Sequence, residues 1–336
     1  MTSILKRYWF LIGLLILLPL GITLGCTAPF PGLAAAIHAI PTLLCTGGIL
    51  FLMSVTLDTG KLVQSLRRPF PVLTACSINM ILIPLMCLPL LALQQTPDLK
   101  VGLLIVASVP CTLAAASVWT RKALGNDAVS LLVTLLTNGT CFLLTPAWME
   151  VGRILHGTAD MASAVSFTDM MLRLTFGAMI PAVAGQMARN FGTIAHWVDG
   201  HTNMISIAAQ AIILTLVLTS SFKGGEDFDF EGNGLPHIDL LLVWACCIAV
   251  HLVSAFSGWW IGGVFGFADG DRRAIVFAGS QKTLPIGLII SDTTGMPLSI
   301  IPMLMFHGSQ LVIDTWIADR MAKRDTMVAT APDPEG

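Results

Sequence analysis

The sequence predicts an all-α integral membrane protein with ten transmembrane helices. Three observations carry this prediction. Of the 336 residues, 55% are hydrophobic and only 11% are charged, whereas a soluble domain carries about 25% charged residues. The mean hydropathy is +0.80. Stretches of about 20 mostly apolar residues, the length a span needs, occur ten times, and the short connections leave no room for a soluble domain.

The ten spans lie near residues 8–25, 34–56, 70–94, 101–120, 126–149, 168–188, 202–221, 238–264, 273–293 and 297–318. The longest polar connection, near 222–237, sets Glu226, Asp227, Asp229 and Glu231 against Lys223. The first span follows Lys6-Arg7 and ends at Thr23-Leu24-Gly25-Cys26, as a lipoprotein signal would. Its apolar run of about 18 residues is long for the h-region of such a signal, so it reads as a retained span. Orientation follows from the basic residues. One set of loops and termini holds Lys6, Arg7, Lys61, Arg67, Arg68, Arg121, Lys122, Arg189, Arg272, Arg273, Arg320, Lys323 and Arg324; the opposite set holds only Lys100, Arg153 and Lys223. Both termini are therefore expected in the cytoplasm, with the multi-pass chain in the lipid bilayer of the cell (inner) membrane.

Composition also excludes several classes. A net charge of −2 without a long basic run argues against nucleic acid. The eight cysteines form no CxxC and no His/Cys pair at metal spacing, and so read as small apolar packing residues. No G-x-x-x-x-G-K-[ST] is present for ATP, and no HExxH. Gly308-Ser309 lacks the second glycine of a G-x-S-x-G elbow. No enzyme activity and no cofactor are expected. A secondary transporter, an ion channel and a transport-inactive regulatory protein affecting cation homeostasis remain, and the first is the leading reading.

The informative stretch is Gly279-Ser-Gln-Lys-Thr-Leu-Pro-Ile-Gly-Leu-Ile-Ile290. Lys282 falls about ten residues into its span, at mid-bilayer, where a charge costs about 2.5–3.5 kcal/mol and marks a functional site by default. Pro285 and the glycines break the helix, and the freed backbone must line a protein cavity. Span four is interrupted at the corresponding place, with Pro110, Thr112 and Ala114-Ala-Ala-Ser117 before Thr120. Ten spans divide into five plus five, and a five-helix unit must return inverted. The expected repeats cover residues 1–150 and 165–320, with 321–336 as a disordered cytoplasmic tail.

Several passages carry a family resemblance. They are Phe51-Leu-Met-Ser-Val-Thr-Leu57 with Arg68-Pro69, Asn79-Met-Ile-Leu-Ile-Pro84, Ser108 to Ser117, Gly125-Asn-Asp-Ala-Val-Ser130, and Gly279-Ser-Gln-Lys-Thr283. Along nearly its whole length the chain resembles the bile acid:sodium symporter family, most closely the branch containing member seven of solute carrier family ten. The resemblance implies a panel of spans 1, 2, 6 and 7 and a core of spans 3–5 and 8–10, with unwound spans four and nine crossing in the core. It also implies two sodium sites. One would use Ala116, Ser117, Ser130, Thr134 and Phe277; the other Asn79, Gln281, Phe277 and the carbonyls of Ala278 and Ser280.

Two residues depart from that pattern. The family's glutamate falls on Phe277 and its asparagine on Lys282. Hard cations take oxygen ligands, so losing the carboxylate and gaining an ammonium works against sodium at both sites. The Lys282 ammonium is expected to stand where a sodium ion would. Its three donors have Asn79, Ser117, Ser130, Thr134, Gln281 and freed carbonyls as candidate partners. A fixed brace, and a coupling lysine that exchanges a proton (H+), are both open, and Na+ is doubtful as coupling ion. Thr112 and Thr283 complete the expected substrate and ion site.

Other polar residues receive plainer readings. His307, Gln310 and Asp314 share one face of span ten; they either join the central network or, as preferred, bond a neighbouring helix. Arg173 has Asp169 one turn earlier near the outer end of span six, so pairing or snorkelling accounts for it. Asn138-Gly-Thr140 matches a glycosylation sequon inside span five, where it cannot be used. Asn203 and Ser206 are candidate cavity residues. The dipole ends of the half-helices and Lys282 favour a small organic anion as substrate; a homodimer is left open.

Overall fold

The computed structural model describes residues 2–27, 31–58, 60, 69–156, 166–226 and 237–329. These residues form an all-helical protein: α1 (Thr2–Thr27), α2 (Pro31–His38), α3 (Thr42–Val55), α4 (Pro69–Leu91), α5 (Pro97–Ser108), α6 (Ala115–Lys122) and α7 (Asp127–His156). There follow α8 (Phe167–Arg189), α9 (Gly192–Glu226), α10 (His237–Val264), α11 (Asp269–Ser280), α12 (Leu284–Thr294) and α13 (Ile300–Ala329).

Among the described residues, seven helices are long and apolar enough to cross a membrane, eight if the bent pair Gly32–His38 and Thr42–Val55 is one span. Ile12–Thr27 is a shorter apolar helix. Large apolar side chains such as Leu15, Leu44, Phe70, Phe176, Phe256 and Trp260 stay exposed on the outer surface. In water they would be a liability; against acyl chains they are the expected lining. The chain is a multi-pass membrane protein.

Several expectations need correction. The span expected at 34–56 is not straight: it bends by 51° between α2 and α3, where Pro41 is extended and lacks the N–H that would continue the helix. Span four is interrupted as expected, into halves of 12 and 8 residues. The tail expected from 321 is helical through Ala329, and 330–336 lie outside the described residues, as do Asp227, Asp229 and Glu231. Arg173 forms no ion pair with Asp169 among the described residues; Asp169 bonds Ser166, the N-cap of α8.

The helices fall into two packing groups. One contains α1, α3, α8 and α9 and the other α4–α7, α10, α11 and α13, with α12 packed on both and α7 also on α8. α1 lies along α9 so closely that a Cβ on Gly25 would stand 2.1 Å from the Phe222 carbonyl, and one on Gly225 2.2 Å from that of Ile22. Small residues let membrane helices approach to this distance. Between the groups, α12 packs on α3, α8 and α9, whereas the substantial neighbours of α6 are α7, α11 and α13 of its own group. An ion pair, Lys223 Nζ to Asp292 Oδ1 at 2.9 Å, ties α9 to the end of α12.

A crossing of two broken helices around a buried lysine

α5 ends before Pro110, whose ring excludes α-helical geometry for the residue ahead of it, and Val109 is extended. α11 gives way at Gln281, also extended, and α12 restarts at Leu284 with Pro285 in its first turn, where no N–H is missed. The two breaks meet: the Thr283 N–H donates to the Pro110 carbonyl at 2.9 Å. Two helix C-termini and two N-termini thus converge, and their unpaired backbone groups must be satisfied locally.

Lys282 satisfies one C-terminus. Its side chain is fully buried, and Nζ donates to the carbonyls of Ala107 at 2.9 Å and Val109 at 2.8 Å, at the end of α5. A cation there also meets the negative end of the helix dipole. A third bond, 2.7 Å, goes to the Asn79 carbonyl. That acceptor is free because α4 carries a π-bulge at Ile78–Leu82 and the Ile83 N–H turns to Ile78. The next N–H that could reach Asn79 would belong to Pro84, which has none. Met80 loses its partner to the same proline and accepts instead from Trp148 Nε1 at 2.7 Å.

Asn79 satisfies the other C-terminus. Its Nδ2 donates to the carbonyls of Gln281 at 2.8 Å and of Ala278 and Gly279 at 3.3 Å. Gln310 brackets the Lys282 backbone, accepting from its N–H and donating to its carbonyl, both at 3.0 Å. Thr112 donates to Gln281 Oε1 at 2.8 Å and accepts from the Ala116 N–H at 3.0 Å in the first turn of α6. Gln281 Nε2 donates to Asp314 Oδ2 at 2.6 Å, and Asp314 Oδ1 lies 2.9 Å from His251 Nε2. Asp314 and His251 are both buried. The network therefore holds one buried lysine and one buried carboxylate, joined through Gln281 and Asn79. Every member has a partner, which is the condition for tolerating buried charge.

The sequence-predicted residues separate into three sets. Asn79, Thr112, Gln281 and Lys282 form the network, and Thr134 joins by donating to the Thr112 carbonyl at 3.0 Å. Thr283 contributes through its backbone. Ser117 and Ser130 stand apart, on the Ala114 carbonyl and on Thr120. Among the described residues, the Lys282 ammonium thus meets carbonyls and Asn79, and not Ser117, Ser130, Thr134 or the Gln281 side chain. Gln310 and Asp314 bond the centre, against the preferred reading of span ten. Asn203 is exposed, Ser206 only accepts from Gln210 at 3.4 Å, and neither lines the cavity described below. His251 was missed, although an ionisable residue inside a span was the signal that singled out Lys282.

Among the residues implied as sodium ligands, none is a carboxylate. Phe277 is buried in an apolar cluster with Ala123, Ala255, Val276 and Ala318 and supplies no side-chain oxygen. The Ala278 carbonyl, a ligand in the implied second site, already accepts from Asn79 Nδ2. The Gln281 side chain is spent on Thr112 and Asp314. In the first site, the hydroxyls of Ser117 and Thr134 donate to carbonyls and Ser130 shares a bond with Thr120, which leaves lone pairs on their oxygens.

A cavity of about 440 Å³ lies beside the crossing, between α3, the first break, α7 and α8. Its wall is mostly apolar, with Leu113, Leu132, Leu135, Met179, Ala182 and Val183. Ser54, Asn138, Gln186 and Asn190 are its polar residues, and no charged side chain lines it.

Comparison with known proteins places the chain in a family. The SBF-like CPA transporter family matches residues 8–323. The uncharacterized protein PA2026 of Pseudomonas aeruginosa is 25% identical over 320 residues, covering 92% of each chain. The probable sodium/metabolite cotransporter BASS4 (chloroplastic) of Arabidopsis thaliana is 27% identical over 326 residues, covering 92% of this chain and 72% of its own. Sodium/bile acid cotransporter 7 of Danio rerio is 22% identical over 337 residues, with coverages of 94% and 96%. The last two names describe transporters and not enzymes. With the match running through both broken helices and all the residues around Lys282, the chain belongs to the SBF-like CPA transporter family.

Proposed function

We propose that the chain is a secondary active transporter for a small organic anion, working by alternating access and without sodium as the coupling ion. The observation that carries this reading is Lys282, fully buried with its ammonium bonded to carbonyls of α4 and of the first break. It supplies, as a tethered cation, the positive charge that sodium would bring. The names of relatives speak of sodium cotransport; the donor geometry of this chain favours a different arrangement.

The reading takes the spans as two inverted five-helix repeats over 1–150 and 165–320, with both termini on the cytoplasmic side of the inner membrane. The two packing groups support a panel moving against a core. α12 touches the panel while α6 turns towards its own group, which supports a state closed at the α12 end and open at the α6 end. The cavity sits at that open end, between panel helices α3 and α8 and core helix α7, and is the proposed substrate site. The first turn of α6 presents a positive dipole end beside Leu113 of its wall, as an anionic group requires.

Uptake of radiolabelled organic anions into proteoliposomes, with sodium and pH gradients imposed separately, tests the proposal. Uptake that is indifferent to sodium is expected. Sodium-driven uptake that persists in Lys282→Ala would overturn it.

A further inference from the structure

Three of the four polar residues around the cavity spend their side chains on main-chain carbonyls. Ser54 Oγ donates to Ala182, Asn138 Nδ2 to Cys111 and Thr134, and Gln186 Nε2 to Ser54. The Asn138 oxygen is buried out of reach of the cavity. Asn190, the C-cap of α8, differs: it is exposed, and among the described residues its side chain makes no hydrogen bond to the protein. Met179, Ala182, Gln186 and Asn190 follow at steps of three and four residues along one side of α8. The wall therefore runs about 16 Å down that helix, apolar at Met179 and polar at Asn190.

The same cavity opens sideways. α7 packs on residues 167–179 of α8, whereas residues 180–189 pack on α3. The change of neighbour falls at the π-bulge Thr175–Met179, just ahead of Pro181. Beyond it the cavity occupies the gap between α7 and α8. Its rim is Leu136 on α7 with Val183 and Met187 on α8, which are 40%, 52% and 62% exposed. These residues belong to the faces that meet acyl chains. Leu136 lines up with Thr140 and Leu143, and Val183 and Met187 with Phe176 and Ile180, all of them exposed. The lipid-facing surface is thus continuous with the cavity.

We infer that this gap is a lateral portal, through which a single-chain amphiphile passes between the cavity and the cytoplasmic leaflet. Its apolar body would meet hydrocarbon on one side of the rim and leucine, methionine and valine on the other, and so would stay out of water throughout. Asn190 follows Arg189 at the cytoplasmic end of α8, at the level of the headgroups, and its free amide offers donors and an acceptor to the polar group of the ligand. A small hydrated ion with no apolar body gains nothing from such a rim and is held back by it. The inference rests on the cavity being the substrate site, and adds the class of substrate and its route.

The test uses the full chain in phosphatidylcholine nanodiscs with Gly139→Cys, a position that lines the cavity and where a Cβ meets nothing within 4 Å. Wild type sets the background of the native cysteines. An apolar reagent, N-(1-pyrenyl)maleimide, is compared with a charged one, a trimethylammonium thiosulfonate. Rates are taken relative to those of Gly192→Cys, at the exposed start of α9. The apolar reagent should be favoured at Gly139 by at least about ten-fold, because a charge is costly to bring through an apolar gap. Val183→Trp at the rim should slow it. Dodecanoate below its micellar concentration should protect the cysteine, and acetate should not. Should Gly139→Cys not fold, Leu136→Cys at the rim carries the same expectations. A charged reagent that keeps pace with the apolar one would make the opening aqueous and overturn the portal. Protection by neither acid, or by both alike, would overturn the amphiphile. Anion uptake in proteoliposomes can succeed or fail with either labelling result, so the two readings fail separately.

Discussion

Replacing Lys282 by methionine tests whether the ammonium holds the crossing together. Methionine keeps much of the volume and flexibility of the lysine stem and removes the charge. The change strips a donor from three buried carbonyls, those of Asn79, Ala107 and Val109. Each buried acceptor left unsatisfied costs about 1–3 kcal/mol, so the gross loss is about 3–9 kcal/mol. Relief from burying an ammonium offsets part of this. A net loss of about 3 kcal/mol is expected, which at about 2 °C per kcal/mol for a long chain lowers the melting temperature by about 6 °C. Thermal unfolding of wild type and variant in the same detergent, followed by tryptophan fluorescence, measures it. A variant that melts within about 1 °C of wild type would refute the reasoning, because the three bonds would then contribute nothing net.

Further predictions concern the surrounding contacts. Asp314→Asn should also destabilise, and the double variant with Lys282→Met should lose at least about 1 kcal/mol less than the sum of the singles, since it removes both buried charges together; a double-mutant cycle in the same melting assay reads the difference. Lys223→Met breaks a pair whose side chains are 28% and 32% exposed, so stability should change by no more than about 1 kcal/mol. The conformational balance should move instead, slowing maleimide labelling of a cysteine placed at Gly139, and an unchanged labelling rate would contradict the role of this pair in closure. Gly225→Val should separate α1 from α9 and lower stability by more than about 2 kcal/mol, because its Cβ would strike the Ile22 backbone; the melting temperature checks it.

The sequence exposed the two broken spans because Pro110 and Pro285 carry a local signal, and it exposed Lys282 because a charge among apolar residues does. It did not expose what Lys282 bonds. Which carbonyls are free depends on the π-bulge of α4, a one-residue change of register. The usable clue was Pro84, five positions after Asn79, which cannot return the N–H that the bulge takes away. The face formed by His307, Gln310 and Asp314 was legible from helical spacing. Its orientation towards α11 and His251 was not, since periodicity says which residues share a side and nothing of what lies opposite. The bend at Pro41 escaped because its flanks, Ala34-Ala-Ala-Ile37 and Leu43-Leu44, are as apolar as an uninterrupted span. That Asn79 turns an amide nitrogen towards the carbonyls of Ala278, Gly279 and Gln281 required the fold.

The hydrogen bond from the Thr283 N–H to the Pro110 carbonyl has a mechanical consequence. It splices the weakest points of two interrupted helices to each other, and Lys282 and Asn79 rivet the splice from both sides. Four half-helices that could flex separately become one stiff truss. In the proposed transporter, work on the substrate would then be delivered by displacing that truss as a single piece, with compliance confined to its seam with α3, α8 and α9. A covalent staple across the splice would leave such a machine running; the same staple across the seam would stop it.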